Sequence, residues 1–187
     1  METTESKPPL LLLDVDGPLN PYALQPAAGA DGYTTPLHKP ANWVRRHGGV
    51  RDETPPLRVD LNPAHGPALT ALASSYDLVW ATSWMDEAND EIGPRIGLPQ
   101  LPYIDWGAGL MVPDPDGLLW KTRMLVAFAA GRPFAWVDDE IADDDREWVA
   151  AHHAGPVLLH RVDPEVGLTD DDFAVLREWG RAFAGSD

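Results

Sequence analysis

The chain has 187 residues, 44% hydrophobic and 24% charged, which suits one globular domain with a full core and would crowd two small ones. A formal net charge of −16 argues against tight, salt-dependent binding to a nucleic-acid backbone. With no cysteine, disulfides, thiolate metal sites and a cysteine nucleophile are excluded.

Met1–Pro9 is polar, and Leu10 to Leu13 are too few for a signal-peptide core or a membrane span. A cytoplasmic protein with no membrane partner is expected. The four leucines read as a short buried strand. They run into Asp14-Val15-Asp16-Gly17, two carboxylates two residues apart followed by a glycine that permits a sharp turn. Sheets of α/β proteins place ligands just beyond the carboxyl ends of their strands. Two acids there repel each other, so the spot calls for a cation, a shared proton or both.

From Pro18 to Pro67 the chain is rich in Pro, Gly and polar residues. It offers weak extended pieces such as Arg58-Val59-Asp60-Leu61 and no convincing amphipathic helix. A flap or hairpin-like insertion over 18–67, beside the site, is expected. Arg45, Arg46, His47, Arg51 and Arg58 gather there, either as a local basic patch or as a solvated loop with scattered counter-charges. His38, His47 and His65 follow no metal-ligand spacing and read as solvent-facing or structural.

Helical spacing begins at His65 and continues through Leu69, Leu72, Ala73 and Tyr76. A second apolar run, Leu78 to Ala81, ends at Thr82-Ser83. Ala88, Ile92 and Ile96 mark a helix face that closes at Gly97. Leu101–Ile104 reads as a short third strand, its proline suggesting an edge or a strand start. Lys121 opens a helix through Met124, Leu125 and Phe128, stopped by Gly131 and Pro133. Phe134 to Val137 is a fourth strand that ends in Asp138-Asp139-Glu140. Trp148 and Val149 belong to the next helix, and Val157 to Leu159 supply a fifth strand. Thr169 with Asp172 resembles a capping box for a last helix over 169–184. The alternation predicts an α/β fold, a mostly parallel five-stranded sheet covered on both faces, with core elements over 10–165 of a single 1–187 domain.

Three strand ends thus carry polar chemistry: Asp14/Asp16, Thr82/Ser83 and Asp138/Asp139. Lys121 starts a helix between the last two. In a parallel sheet these ends share one edge, so residues remote in sequence converge. The series resembles the haloacid-dehalogenase-like superfamily. The matching stretches, in order, are Leu-Leu-Leu-Asp14-Val-Asp16-Gly17-Pro18-Leu19-Asn20, Leu-Val-Trp-Ala-Thr82-Ser83-Trp84, Lys121 and Trp-Val-Asp138-Asp139. They cover effectively the whole domain, and their style is similar to little-characterised bacterial members with a small cap or none.

The resemblance implies a Rossmann-like three-layer sandwich with strand order 5-4-1-2-3 and a Mg²⁺-dependent phosphohydrolase, a phosphomonoester phosphatase. Asp14 is implied as the nucleophile that forms an aspartyl-phosphate. Asp16 gives a proton to the leaving oxygen and later takes one from water. Thr82 donates to a phosphoryl oxygen, with Ser83 as the alternative donor, and Thr82 reads equally as an ordinary helix cap. Lys121 contacts both phosphate and nucleophile. Mg²⁺ is held by Asp14, the backbone carbonyl of Asp16 and Asp138; Asp139 is the alternative ligand, or the holder of a coordinated water. Asn20 and Trp84 are further substrate contacts, Trp84 equally a core residue. Pro18 stands where Thr or Val is commoner and stiffens the way into the flap. The expected partner is a phosphorylated small molecule. Two rivals remain, a polynucleotide end-processing phosphatase, disfavoured by net charge, and a non-catalytic binding module on the same fold. No motif speaks to oligomeric state.

Overall fold

Four consecutive leucines stay dry only where both faces of their strand are covered. In the computed structural model, which describes residues 7–23 and 32–183, β1 (Leu10–Leu13) meets that condition at 4% exposure or less. Its side chains alternate between two apolar clusters, Leu11 and Leu13 in one, Leu10 and Leu12 in the other. Each fully buried leucine contributes about 1.5–3 kcal/mol relative to exposure.

The insertion follows as β2 (Leu37–His38), α1 (Ala41–Arg46) and β3 (Leu57–Arg58). The core resumes with α2 (His65–Leu72), β4 (Asp77–Trp80), α3 (Glu87–Glu91), α4 (Gly93–Ile96) and α5 (Thr122–Ala129). It closes with β5 (Phe134–Asp138), α6 (Asp143–His152), β6 (Val157–Arg161) and α7 (Asp170–Arg181). The main sheet is parallel throughout, in the order β4-β1-β5-β6. Residues of α2, α4 and α7 pack in the cluster on one face, and residues of α5 and α6 in the cluster on the other. This is the expected α/β layering.

The expected five-stranded order 5-4-1-2-3 is corrected to four strands. Leu101–Ile104 forms no strand; it makes a single parallel bridge, Trp80 with Tyr103, through Trp80 N–H to Pro102 O at 2.9 Å and Ile104 N–H to Trp80 O at 3.0 Å. Pro102 has no N–H to extend that pairing. The helix expected over Ala88–Ile96 is two short ones. They meet at Ile92-Gly93-Pro94, and the second stops at Gly97, left-handed at φ 79°.

Within the insertion, β2 and β3 pair antiparallel, and a Thr34–Leu61 bridge extends the hairpin. The insertion also holds a helix that the sequence did not announce. Only Val44 of α1 is buried, and one buried residue in six sets up no periodicity. Residues 24–31 of the expected insertion lie outside the described residues, as does the end of the expected 169–184 helix. The capping box of α7 is present: Asp172 N–H donates to Thr169 Oγ1 at 3.4 Å, and Thr169 N–H to Asp172 Oδ2 at 2.7 Å. Among the described residues no helix is long and apolar enough to cross a membrane.

Candidate functional site

Because β1, β4 and β5 run parallel, their carboxyl ends meet at one edge. From β1 the chain moves to β4 on one side and returns past it to β5 on the other, which opens a crevice at the end of β1. Asp14 lies there, 6% exposed, with Val15 N–H donating to its Oδ1 at 2.7 Å. Lys121, at the start of α5, is 1% exposed. Its Nζ lies 2.7 Å from Asp14 Oδ2, 2.6 Å from Asp138 Oδ2 and 3.4 Å from the Ala81 carbonyl at the end of β4. One ammonium therefore joins three strand ends.

Asp138 ends β5 fully buried. It accepts from Trp136 Nε1–H at 3.1 Å and from Glu140 N–H at 3.0 Å. Asp139, the next residue, accepts from the Tyr22 hydroxyl at 2.8 Å. Both acids reach the site because the strand has ended between them, so the alternation of faces no longer applies. Arg161, at the end of β6, steadies the turn by donating from Nε to the Asp139 carbonyl at 2.9 Å. One carboxylate oxygen from each of Asp14, Asp138 and Asp139 falls within 4.8 Å of the others. Gly17 makes room for this: it holds φ 86°, and a Cβ there would stand 2.3 Å from Asp139 Oδ1.

Asp16 is gripped at both oxygens, by Asn20 Nδ2–H at 2.8 Å and by Trp84 Nε1–H at 3.0 Å. The other end of the Asn20 amide accepts from Asp60 N–H at 2.9 Å, so Asn20 ties the β1 loop to the insertion. Of the two hydroxyls, Thr82 is fully buried and accepts from Trp84 N–H at 3.3 Å. Ser83 lines a cavity of about 280 Å³ together with Asp14, Asp16, Lys121, Asp139 and Glu140. Tyr22, Met111 and Trp120 complete the wall.

Electrostatically the site is short of positive charge. The carboxyl groups of Asp14, Asp16, Asp138, Asp139 and Glu140 face the single ammonium of Lys121. Burial pushes the Asp14 carboxyl up to about 8; Lys121 opposes this, while Asp138 and Asp16 add to it. Burial also raises Asp139; the Tyr22 hydroxyl works against it and Asp138 with it. Lys121 itself feels burial pulling down, but Asp138 and Asp14 outweigh that and hold it above its ordinary value. The clustered buried carboxylates of Asp14, Asp138 and Asp139 are a hard-oxygen donor set that could hold a metal ion. A divalent cation would offset both the burial and the neighbouring acids that raise Asp14.

The structure brings Asp14, Asp16, Ser83, Lys121, Asp138 and Asp139 to one strand edge. Asn20 and Thr82 take supporting positions behind them. Sequence reasoning did not find Asp145. It is 1% exposed on α6 and accepts from Leu119 N–H at 2.9 Å, Thr122 Oγ1–H at 2.6 Å and Ala142 N–H at 3.0 Å. It fastens the helix after the Asp138 turn to the turn that carries Lys121. In the sequence it is one of three acids opening a helix, with nothing to separate it from its solvated neighbours. Nor did any spacing signal mark Tyr22, Met111 or Trp120. Compared with protein-family models, with curated proteins and with solved structures, the chain matches none.

Proposed function

We propose that this chain is a Mg²⁺-dependent phosphohydrolase that cleaves phosphomonoesters through an aspartyl-phosphate on Asp14. The observation that carries the reading is the Lys121 ammonium held 2.7 Å from Asp14 and 2.6 Å from Asp138. The resemblance of the strand-end residues to the haloacid-dehalogenase-like superfamily supports it.

In this reading Asp14 attacks phosphorus, and the bond to the leaving oxygen breaks as Asp16 gives that oxygen its proton. Asp16 then takes a proton from the water that attacks the aspartyl-phosphate, which frees phosphate and restores Asp14. Lys121 neutralises Asp14 and a phosphoryl oxygen; Ser83, on the cavity wall, donates to another. Asn20 and Trp84 keep Asp16 aimed into the cavity. Asp14, Asp138 and Asp139 are the residues that would hold Mg²⁺, which supplies the positive charge that lets an anionic nucleophile approach an anionic phosphate.

The test is a phosphate-release screen over phosphomonoesters, with and without Mg²⁺, using Asp14→Asn as control. Turnover should require Mg²⁺ and fall by several orders of magnitude in Asp14→Asn. Turnover that persists in the variant, once deamidation is excluded, refutes the covalent route. No release from any ester favours a binding module.

A further inference from the structure

A second cavity, of about 230 Å³, adjoins the first and shares Asp16, Ser83 and Met111 with it. Its walls come from both sides of the seam between insertion and core. Trp43 and Leu57 belong to the insertion, Trp84 and Glu87 to the segment after β4. Trp43 is fixed on its own side, its Nε1–H donating to Pro55 O at 2.8 Å and its ring centroid 3.9 Å from that of His47. On the other side Trp84 is fixed by Asp16 at 3.0 Å. Arg46 and Met111 also line it, Arg46 Nη2 lying 3.6 Å from Met111 Sδ.

Two held indoles and a thioether make a surface that favours an aromatic occupant. The charge of the walls limits it further. Asp16 and Glu87 are carboxylates and Arg46 is the one guanidinium, so a second phosphate would meet more repulsion than attraction. Glu87 Oε1 already accepts from Asn42 N–H at 3.0 Å. Pockets for drug-sized ligands run from about 300 Å³ upward, so this one suits a single ring system.

We propose that the cleft between α1 and α3 is a leaving-group subsite: it takes an uncharged, ring-bearing alcohol whose phosphate lies in the acid cavity, and Trp43 determines that specificity. The proposal rests on the phosphohydrolase reading of the acid cavity.

The experiment uses the full chain with Mg²⁺ and two phosphonates that cannot be hydrolysed, benzylphosphonate and methylphosphonate, with affinities measured by calorimetry. The protein should prefer benzylphosphonate by about tenfold or more, the scale of one well-made ring contact plus its burial. Trp43→Ala should abolish the preference while methylphosphonate binds as before. Trp43→Phe should retain it, because the ring remains although the anchor to Pro55 is gone. Equal binding of both phosphonates, or weakening of both alike in Trp43→Ala, overturns the subsite. Failure to bind either overturns it together with the acid cavity's phosphate role.

Phosphate release from benzyl and ethyl phosphate, run in parallel, separates the two ideas. Equal kcat/KM for both esters refutes the subsite and leaves hydrolysis standing. No release from either, with the benzyl preference intact, refutes hydrolysis and with it the leaving-group role, and leaves only a ring-binding cleft.

Discussion

Trp84 and Asp16, 68 residues apart in sequence, meet through an indole N–H to Oδ2 hydrogen bond of 3.0 Å. Trp84 is 6% exposed, so its ring is held by packing and the direction of that donor is fixed. Trp84→Phe keeps the ring and removes only the N–H. A hydrogen bond to a charged group contributes about 1.5–3 kcal/mol, so kcat should fall roughly tenfold to a hundredfold with KM little changed. Steady-state kinetics beside an unfolding curve checks this. A wild-type kcat in the variant would remove Trp84 from any part in aiming Asp16.

Lys121→Met should be damaging in a way that depends on metal. It leaves Asp14 and Asp138 buried and mutually repelling with no ammonium between them. Breaking a buried pair in this way costs about 3–5 kcal/mol. Millimolar Mg²⁺ should restore part of that loss while hydrolysis stays absent. Urea unfolding with and without Mg²⁺ measures it, and an unaltered midpoint in the metal-free variant would contradict the role given to the ammonium.

Asp145→Asn tests the strut between the two halves of the site. The amide oxygen can keep Leu119 and Thr122, but its NH₂ then faces the N–H of Ala142, donor against donor. A loss of about 1–3 kcal/mol is expected, the cost of one buried unsatisfied group. Because Lys121 sits between Leu119 and Thr122 in the chain, kcat should drop more than KM rises. Denaturation paired with phosphate-release kinetics reads both.

The pH dependence of stability should carry the mark of His65. Burial lowers its pKa below the ordinary value of 6.5, against the opposing influence of the Leu168 carbonyl and Asp170. Neutral His65 donates from Nε2 to Leu168 O at 3.0 Å, while buried Nδ1 has no partner among the described residues to receive an added proton. The unfolded chain therefore binds a proton more readily than the folded one. His65 disfavours folding only under acid: stability is full above about 6.5 and declines as pH drops below it. Thermal midpoints from pH 8 to pH 5 should fall in the wild type and fall less in His65→Gln, whose amide can still donate to Leu168.

What could be read in advance was what lies close along the chain. Leu10 to Leu13, Phe134 to Val137 and the acids after them announce strands and a shared edge, because burial on both faces requires an unbroken apolar run. The 101–104 strand failed because an apolar look does not supply the N–H that Pro102 lacks. The sequence favours Asp138 over Asp139 as the ligand, whereas the structure brings a carboxylate oxygen of each close to Asp14. Asp139 differs from Asp138 by the Tyr22 hydroxyl, 117 residues away. The insertion's attachment was equally hidden: the half-buried contact of His38 Nδ1 with Glu91 Oε2 at 2.6 Å joins residues with no spacing rule between them. Contacts of this kind are set by the completed topology, which no local window contains.

The crowding around Lys121 has a consequence for how such a molecule could change. Asp14 and Asp138 compete for a single ammonium at the junction of three strands, where all three side chains are buried. Neutralising either acid would relieve that conflict and give a sturdier fold. Variants chosen only for heat resistance should therefore drift toward inert proteins at these positions, and the acids would persist only where selection acts on the work they do.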